Sequence, residues 1–185
     1  EPSANYFVRN SEIPEFFGQQ LRKGERMPVD VSLGNNSPRL FYSHQHGEIW
    51  QGDSIDWLST LEAGSVNLVF ADPPYNINLN YNEGVGHSMS YGGKTKDNKS
   101  DEDYQEFLER AFKNALDVAK PDCHFFCYCD HTYVGLLHTL FTEVGLKPQR
   151  TCLWIKNNMN VTLEVAFSKC YEPCVYGIRG KPYLN

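Results

Sequence analysis

Positive charge is scarce in this 185-residue sequence: 17 Lys and Arg face 23 Asp and Glu, a formal net charge of −6. Phosphate contacts need Lys and Arg, so a surface that binds nucleic acid all over is excluded, and any such binding must rest on a local basic cleft. No apolar run approaches the roughly 18 residues of a membrane span, and no charged-then-apolar segment opens the chain. A cytoplasmic protein without a membrane partner is the expectation. There is also no C-x-x-C pair. The six cysteines, Cys123, Cys127, Cys129, Cys152, Cys170 and Cys174, therefore read as reduced thiols rather than a disulfide frame. Cys123, Cys127 and Cys129 share one face of an expected strand beside His124, but without paired spacing they read as core cysteines, and no metal is expected.

What is present is a core. Hydrophobic residues make up 41% of the chain and aromatics 14%, enough for about one domain. The candidates for a basic cleft are Lys94, Lys96 and Lys99 in one stretch, then Lys156, Lys169, Arg179 and Lys181. The competing reading of such scattered charges is a solvated surface.

Residues 1 to 43 are broken by Pro2, Pro14, Pro28 and Pro38 and keep no clear period, apart from a short helix expected over Glu12 to Leu21 with Ile13, Phe16, Phe17 and Leu21 on one face. They read as an extension or the tail of a preceding domain, and residues 44 to 185 as a separate region. The first residue is Glu1 rather than Met, which fits a fragment or a processed chain.

From Gly47 the pattern sharpens. Glu48 to Gln51 reads as a strand, Gly52 as a turn, Ser54 to Leu61 as a helix with Ile55, Leu58 and Leu61 on one face, and Val66 to Ala71 as a buried strand. That sequence of elements is a βαβ unit. If its strands are parallel, Asp53 and Asp72 lie at one sheet edge; otherwise Asp53 simply caps the helix.

Ser100 with Asp103 forms a capping box. The helix it opens carries Tyr104, Phe107, Leu108, Ala111, Phe112, Ala115, Leu116 and Ala119 at spacings of three and four, until Lys120 and Pro121 end it. Further expectations are a strand over His124 to Tyr128, a turn or cap at Asp130 and His131, a helix from about Thr132 to Val144, a strand over Arg150 to Lys156, a loop or short helix over Val161 to Cys170, and a strand over Tyr171 to Ile178. This alternation predicts an α/β fold with a doubly wound, mostly parallel sheet.

The chemistry is expected at Asp72, Pro73, Pro74 and Tyr75, which follow the Val66 to Ala71 run. Two prolines remove two N–H donors and fix φ, so the corner is stiff. Loops at the carboxyl ends of strands are where open α/β sheets bind ligands. Here an acid, a bare carbonyl and an aromatic ring meet. The Asp72 carboxylate and Pro73 carbonyl can each accept one hydrogen of an exocyclic amine, and the Tyr75 ring can stack on the base that bears it.

Phe70-Ala71-Asp72-Pro73-Pro74-Tyr75-Asn76 resembles the hallmark of the DNA amino-methyltransferases, whose members carry Asp, Asn or Ser before Pro-Pro-Tyr or Pro-Pro-Phe. The resemblance implies a Rossmann-like methyltransferase fold, S-adenosyl-L-methionine as cofactor, double-stranded DNA as partner and, for the Asp form, adenine N6 as target; cytosine N4 is the alternative. It implies catalytic roles for Asp72, Pro73, Pro74 and Tyr75, and cofactor contacts from Asp53, Ser54, Asp72 and Asn76. Trp154, Lys156, Asn157 and Asn158 resemble the family's Trp-x-Lys-x-Asn segment beside the base pocket, and equally a strand running into an Asn-rich turn. Tyr171 to Gly177 resembles the family strand that carries a Glu before apolar residues. Asn76 to Lys99 is a long polar stretch in which Tyr81, Lys94 and Lys96 are candidate nucleic-acid contacts, with a plain linker as the equal alternative.

The family's Gly-rich cofactor turn, commonly Phe-x-Gly-x-Gly, is missing. Its absence ahead of Asp72 resembles the permuted group, in which that turn follows the target-recognition part. The resemblance thus covers about Gly47 to Pro182 and makes residues 44 to 185 a partial catalytic domain. A further domain or chain is then expected to supply the Gly-rich loop. A non-catalytic nucleic-acid-binding module completed by a partner is the reading from another class.

Overall fold

In a computed structural model of the chain, residues 5–10, 38–78, 97–160 and 169–184 are described. The expected helix over Glu12 to Leu21, the candidate contacts Tyr81, Lys94 and Lys96, and most of the Val161 to Cys170 stretch lie outside the described residues. The chain divides into two compact units, Glu1–Trp57 and Leu58–Asn185.

The first unit is built on a three-stranded antiparallel sheet in the order β1 (Asn5–Asn10), β3 (Gly47–Gly52), β2 (Arg39–His44). A two-residue turn at Gln45 and His46 joins β2 to β3. The expected division after residue 43 therefore falls inside β2 rather than between units. This also corrects the βαβ reading. β3 pairs with β1 and β2, both antiparallel, because each edge of β3 is already taken by a strand from the proline-broken region. The helix α1 after it spans only Ser54–Leu58.

The second unit holds a four-stranded sheet in the order β4 (Val66–Ala71), β5 (Ala119–Tyr128), β7 (Lys169–Arg179), β6 (Lys147–Asn160). β4 and β5 pair parallel, while β7 pairs antiparallel with both β5 and β6. Three strands thus point one way, and β7 is inserted against them by the β6–β7 return. The sheet is therefore mixed rather than mostly parallel, since only the β4–β5 pair of its three neighbouring pairs is parallel, and with its helices it forms part of a Rossmann-like methyltransferase fold.

Helix α2 (Asp101–Val118) starts where the capping box placed it, with the Ser100 hydroxyl accepting from the Asp103 amide at 3.1 Å. Tyr104, Leu108, Phe112, Ala115 and Leu116 form its buried stripe. α2 passes directly into β5, whose alternation buries Cys123, Phe125 and Cys127 and leaves His124, Phe126 and Tyr128 half-buried on the opposite face. After Tyr128 the chain makes one 3₁₀ turn, His131–Tyr133, and enters α3 (Val134–Glu143). Phe112, Phe125 and Phe141, one from each of α2, β5 and α3, meet edge to face at centroid separations of 5.2 to 5.5 Å, the geometry favoured by ring quadrupoles. Gly177 on β7 makes this packing possible: a Cβ there would lie 2.7 Å from the Phe141 ring.

One expectation about β4 fails. Leu68 is 43% exposed and Phe70 is 60% exposed, so the strand is not buried on both faces. Val69 and Ala71 pack toward the core under α2 and α3. The other face carries Leu68 and Phe70 at a sheet edge, and among the described residues no helix of this unit covers it.

Candidate active site

The parallel run of β4 and β5 and the reversal at β7 bring four segments to one end of the sheet: the ends of β4, β5 and β6, and the start of β7. Register places Ala71 beside Cys127, Tyr128 beside Cys174, and Trp154 beside Glu172. At this carboxyl edge lies an open pocket of about 340 Å³ lined by Phe70, Asp72, Tyr75, Tyr128, Trp154 and Glu172. Four of these six residues are aromatic. Phe70 and Tyr128 meet edge-on at 5.4 Å, and Tyr128 and Trp154 at 6.4 Å.

Two carboxylates face this space. The Tyr75 hydroxyl donates to Asp72 Oδ1 at 2.8 Å and lies 3.5 Å from Glu172 Oε2. Glu172 is ion-paired with Lys156, whose ammonium also sits 5.1 Å from the centre of the Trp154 ring, within cation–π range. Loss of water around Asp72 raises its carboxyl above its ordinary value; the Tyr75 hydrogen bond opposes that rise, the Glu172 charge adds to it and the Lys156 charge opposes it. Burial, then the Asp72 charge and hydrogen bond, push the Tyr75 phenol far up, so it remains a donor.

The stiff corner is held from outside the motif. The Tyr104 hydroxyl of α2 donates to the Pro74 carbonyl at 2.9 Å. The Asn76 amide donates to Asp97 Oδ1 at 2.7 Å and that of Ile77 to Asp97 Oδ2 at 3.2 Å. Among the described residues, no donor takes the Pro73 carbonyl, which leaves it available as the second acceptor.

Other expected site residues are placed differently. Asn76 is spent on structure: its Nδ2 donates to the Lys99 carbonyl and the Tyr133 hydroxyl, both at 3.1 Å, and its Oδ1 accepts from the Lys99 amide at 2.6 Å. Its side chain therefore braces the corner. Asp53 Oδ1 accepts from the Ile55 amide at 2.8 Å and the Asp56 amide at 3.4 Å, so Asp53 caps α1, with Ser54 the first helical residue. The parallel pairing that was to bring Asp53 and Asp72 to one sheet edge is not formed. Asn157 is exposed near the end of β6; the side chain of Asn158 lies outside the described residues.

The basic cleft also changes character. Lys156 is paired with Glu172, Lys169 with Asp130 at 2.5 Å, and Arg179 is spread over backbone carbonyls of Leu116, Ala119 and Lys120. Asp130 is buried, which alone would raise its carboxyl, but the Lys169 hydrogen bond and those from the Thr132 amide and hydroxyl outweigh that and hold it well below the usual range. His131 Nδ1 lies 2.9 Å from Asp130 Oδ1, in keeping with its reading as a turn residue. The thiols of Cys123, Cys127 and Cys129 are fully buried; burial pushes that of Cys129 up to about 12. Among the described residues no group of three or more His, Cys, Asp or Glu is arranged for a metal, and no helix is long and apolar enough to cross a membrane.

Sequence reasoning gave Phe70, Tyr128 and Glu172 no place in the pocket. Phe70 stood in the motif's flank and Glu172 in a strand singled out only by resemblance; Tyr128 carried no signal beyond ending an expected strand.

A family described as DNA methylase, of the N6/N4 type, matches residues 66–183. Type II methyltransferase M.BamHI of Bacillus amyloliquefaciens is 27% identical over 82 residues, 44% of this chain and 17% of that protein. Among solved structures, PvuII DNA methyltransferase (cytosine-N4-specific) superimposes with a TM-score of 0.50 at 15% identity, over 70% of this chain and 48% of its own. The M1.HpyAVI–SAM complex does so with a TM-score of 0.42 at 12% identity, over 66% and 47%. The chain therefore spans under a fifth of the M.BamHI length and about half of each solved neighbour.

Proposed function

Because the chain belongs to the N6/N4 DNA methylase family, we propose that it carries the target-base half of an S-adenosyl-L-methionine-dependent methyltransferase acting on the exocyclic N6 amine of adenine in double-stranded DNA. The observation that carries this reading is the Asp72 carboxylate beside Tyr75 in an open aromatic pocket at the sheet's carboxyl edge. Adenine is favoured over cytosine by the Asp form of the motif.

The target base must leave the duplex, because its amine cannot meet a methyl donor while stacked. In the pocket, Asp72 and the Pro73 carbonyl accept the two amine hydrogens and turn the nitrogen lone pair out of the ring. The Tyr75 ring stacks on the base and its hydroxyl steadies the Asp72 carboxylate. Most of the rate gain in such a transfer comes from alignment. Asp72 stabilises the positive charge that grows on the nitrogen as the N–CH3 bond forms and the S–CH3 bond breaks with its electron pair left on sulfur. The nitrogen becomes neutral when its proton leaves afterwards. Phe70, Tyr128 and Trp154, with Asp72 and Glu172, make a lining chemically suited to a sulfonium cation as well. Bound there, S-adenosyl-L-methionine supplies the electrophilic methyl group. Its amino-acid end needs a Gly-rich loop this sequence lacks, so a further domain or chain completes the site. No metal enters the scheme.

The test is transfer of labelled methyl to duplex DNA by the natural gene product, with the modified nucleoside identified. N6-methyladenine is the expected product. N4-methylcytosine moves the target to the other amine, and label confined to RNA or protein rejects DNA as substrate.

A further inference from the structure

Tyr75 has a conformation fixed from both sides. On its amino side, the Pro74 ring locks φ, and the Tyr104 hydroxyl, donating to the Pro74 carbonyl at 2.9 Å, locks the peptide plane that leads into Tyr75. Tyr104 is 1% exposed and lies edge-on to Tyr133 at 4.8 Å, so its hydroxyl cannot swing away. On the carboxyl side, Asp97 is 3% exposed. Its two oxygens take the amides of Asn76 and Ile77, and its own carbonyl takes that of Asn78 at 2.7 Å.

These bonds hold an unusual backbone. Asn76 and Asn78 sit at φ 56° and 57°, the left-handed region, where Asn is tolerated better than most residues but still at a cost. Such residues persist where the surroundings over-determine them, and they gather at functional sites. A buried carboxylate used on backbone amides is a device for holding such a turn, because losing it leaves two part-buried donors without their partner.

We propose that Tyr104 and Asp97, which lie outside the Asp72–Tyr75 motif, are positioning residues for methyl transfer: together they clamp the backbone on either side of Tyr75 and so hold its ring and hydroxyl against Asp72. Neither touches the pocket; both act through Tyr75. The assignment rests on the methyltransferase reading above for its consequence, but the clamp itself is a property of this chain.

The test uses Y104F, which keeps the buried ring, and D97N, which places an amide NH₂ against a backbone N–H. In the 185-residue chain, NMR should show the Asp72 carboxyl titrating at higher pH in both variants, since the Tyr75 hydrogen bond that lowers it is loosened. Amides of Asn76 and Ile77 should exchange faster, while that of Phe125 in β5 keeps its protection. In the natural gene product, kcat for methyl transfer should fall about tenfold in Y104F and further in D97N, with KM for S-adenosyl-L-methionine unchanged, as expected when alignment rather than binding is lost. An Asp72 titration and Asn76 and Ile77 exchange identical to wild type would overturn the clamp, as would loss of protection spread evenly through β5. If the wild-type protein methylates no nucleic acid, the functional reading fails while the NMR comparison still decides the clamp.

Discussion

At the amino end of β5 the Arg179 guanidinium donates to the carbonyls of Leu116, Ala119 and Lys120, and Asp122 Oδ1 accepts from the Lys181 amide at 2.6 Å. At the carboxyl end of the same sheet, Asp72, Glu172 and Lys156 bond to other side chains around an open pocket. Both ends are rich in charge, but they use it differently. The amino end satisfies backbone groups left over where α2 runs into β5 without a loop, a capping duty that fixes the fold. The carboxyl end keeps acceptors on side chains, where a ligand can compete for them. Charge bonded to backbone should therefore matter for stability, and charge bonded to side chains in the pocket for chemistry.

The largest effect that sharpens this contrast is at the carboxyl end. Asp72→Asn should lower methyl transfer by the 10²- to 10³-fold typical of losing a preorganised electrostatic contact, that is about a thousandfold at most, with the thermal unfolding midpoint unchanged. Near-wild-type turnover in that variant would erase the distinction. Arg179→Met should do the reverse. Leaving the carbonyls at the α2–β5 junction without their donor costs about 2 kcal/mol in urea unfolding, and turnover per folded molecule stays as in wild type.

Lys169→Met probes a pair at the carboxyl end that should behave like the amino end, since Asp130 is buried and also bound to Thr132. Its loss should cost about 2 kcal/mol, below the range for fully buried pairs because Thr132 remains. The Asp130 carboxyl is depressed in the folded state, so its contribution is present above the ordinary carboxylate pKa and is lost as pH falls through the lower folded value. Acid unfolding of wild type and variant should therefore converge at low pH; a constant gap would show that Asp130 is not the linked group.

The smallest effect concerns pH. Asp72 must be ionised to stabilise the positive charge that grows on the amine nitrogen, and its pKa is raised, so the acid limb of activity should lie above the ordinary carboxylate range. Glu172→Gln removes a charge that raises it and leaves Lys156, which lowers it, so the limb should move to lower pH. An unmoved limb would separate Glu172 from the electrostatics of Asp72.

Several features were legible in the residues because they are local. Ser100 and Asp103 announced the start of α2, its three-and-four spacing gave the buried stripe, and the Asp-Pro-Pro-Tyr corner marked the end of β4. The partners of β3 were not legible. A run such as Glu48 to Gln51 states that it is a strand but not which strand it joins, and β1 and β2 were hidden among prolines. Exposure of Phe70 depends on what covers a sheet face, which an apolar run cannot report. The use of Asn76, Lys156 and Arg179 was equally hidden, since each is engaged by a group at least 16 residues away in sequence.

By itself the sequence determined the stiffness and chemistry of the Asp72 corner, because proline restricts its own backbone wherever it stands, and the helix that follows, because capping and periodicity act within a few residues. Only the tertiary structure decided that Glu172 stands beside Asp72, that Asp97 and Tyr104 grip the chain around Tyr75, and that Asp53 caps α1 after a strand from another sheet. Those pairings join residues far apart in the chain, and their distances are set by sheet register and by core packing under α2 and α3, which no short stretch encodes.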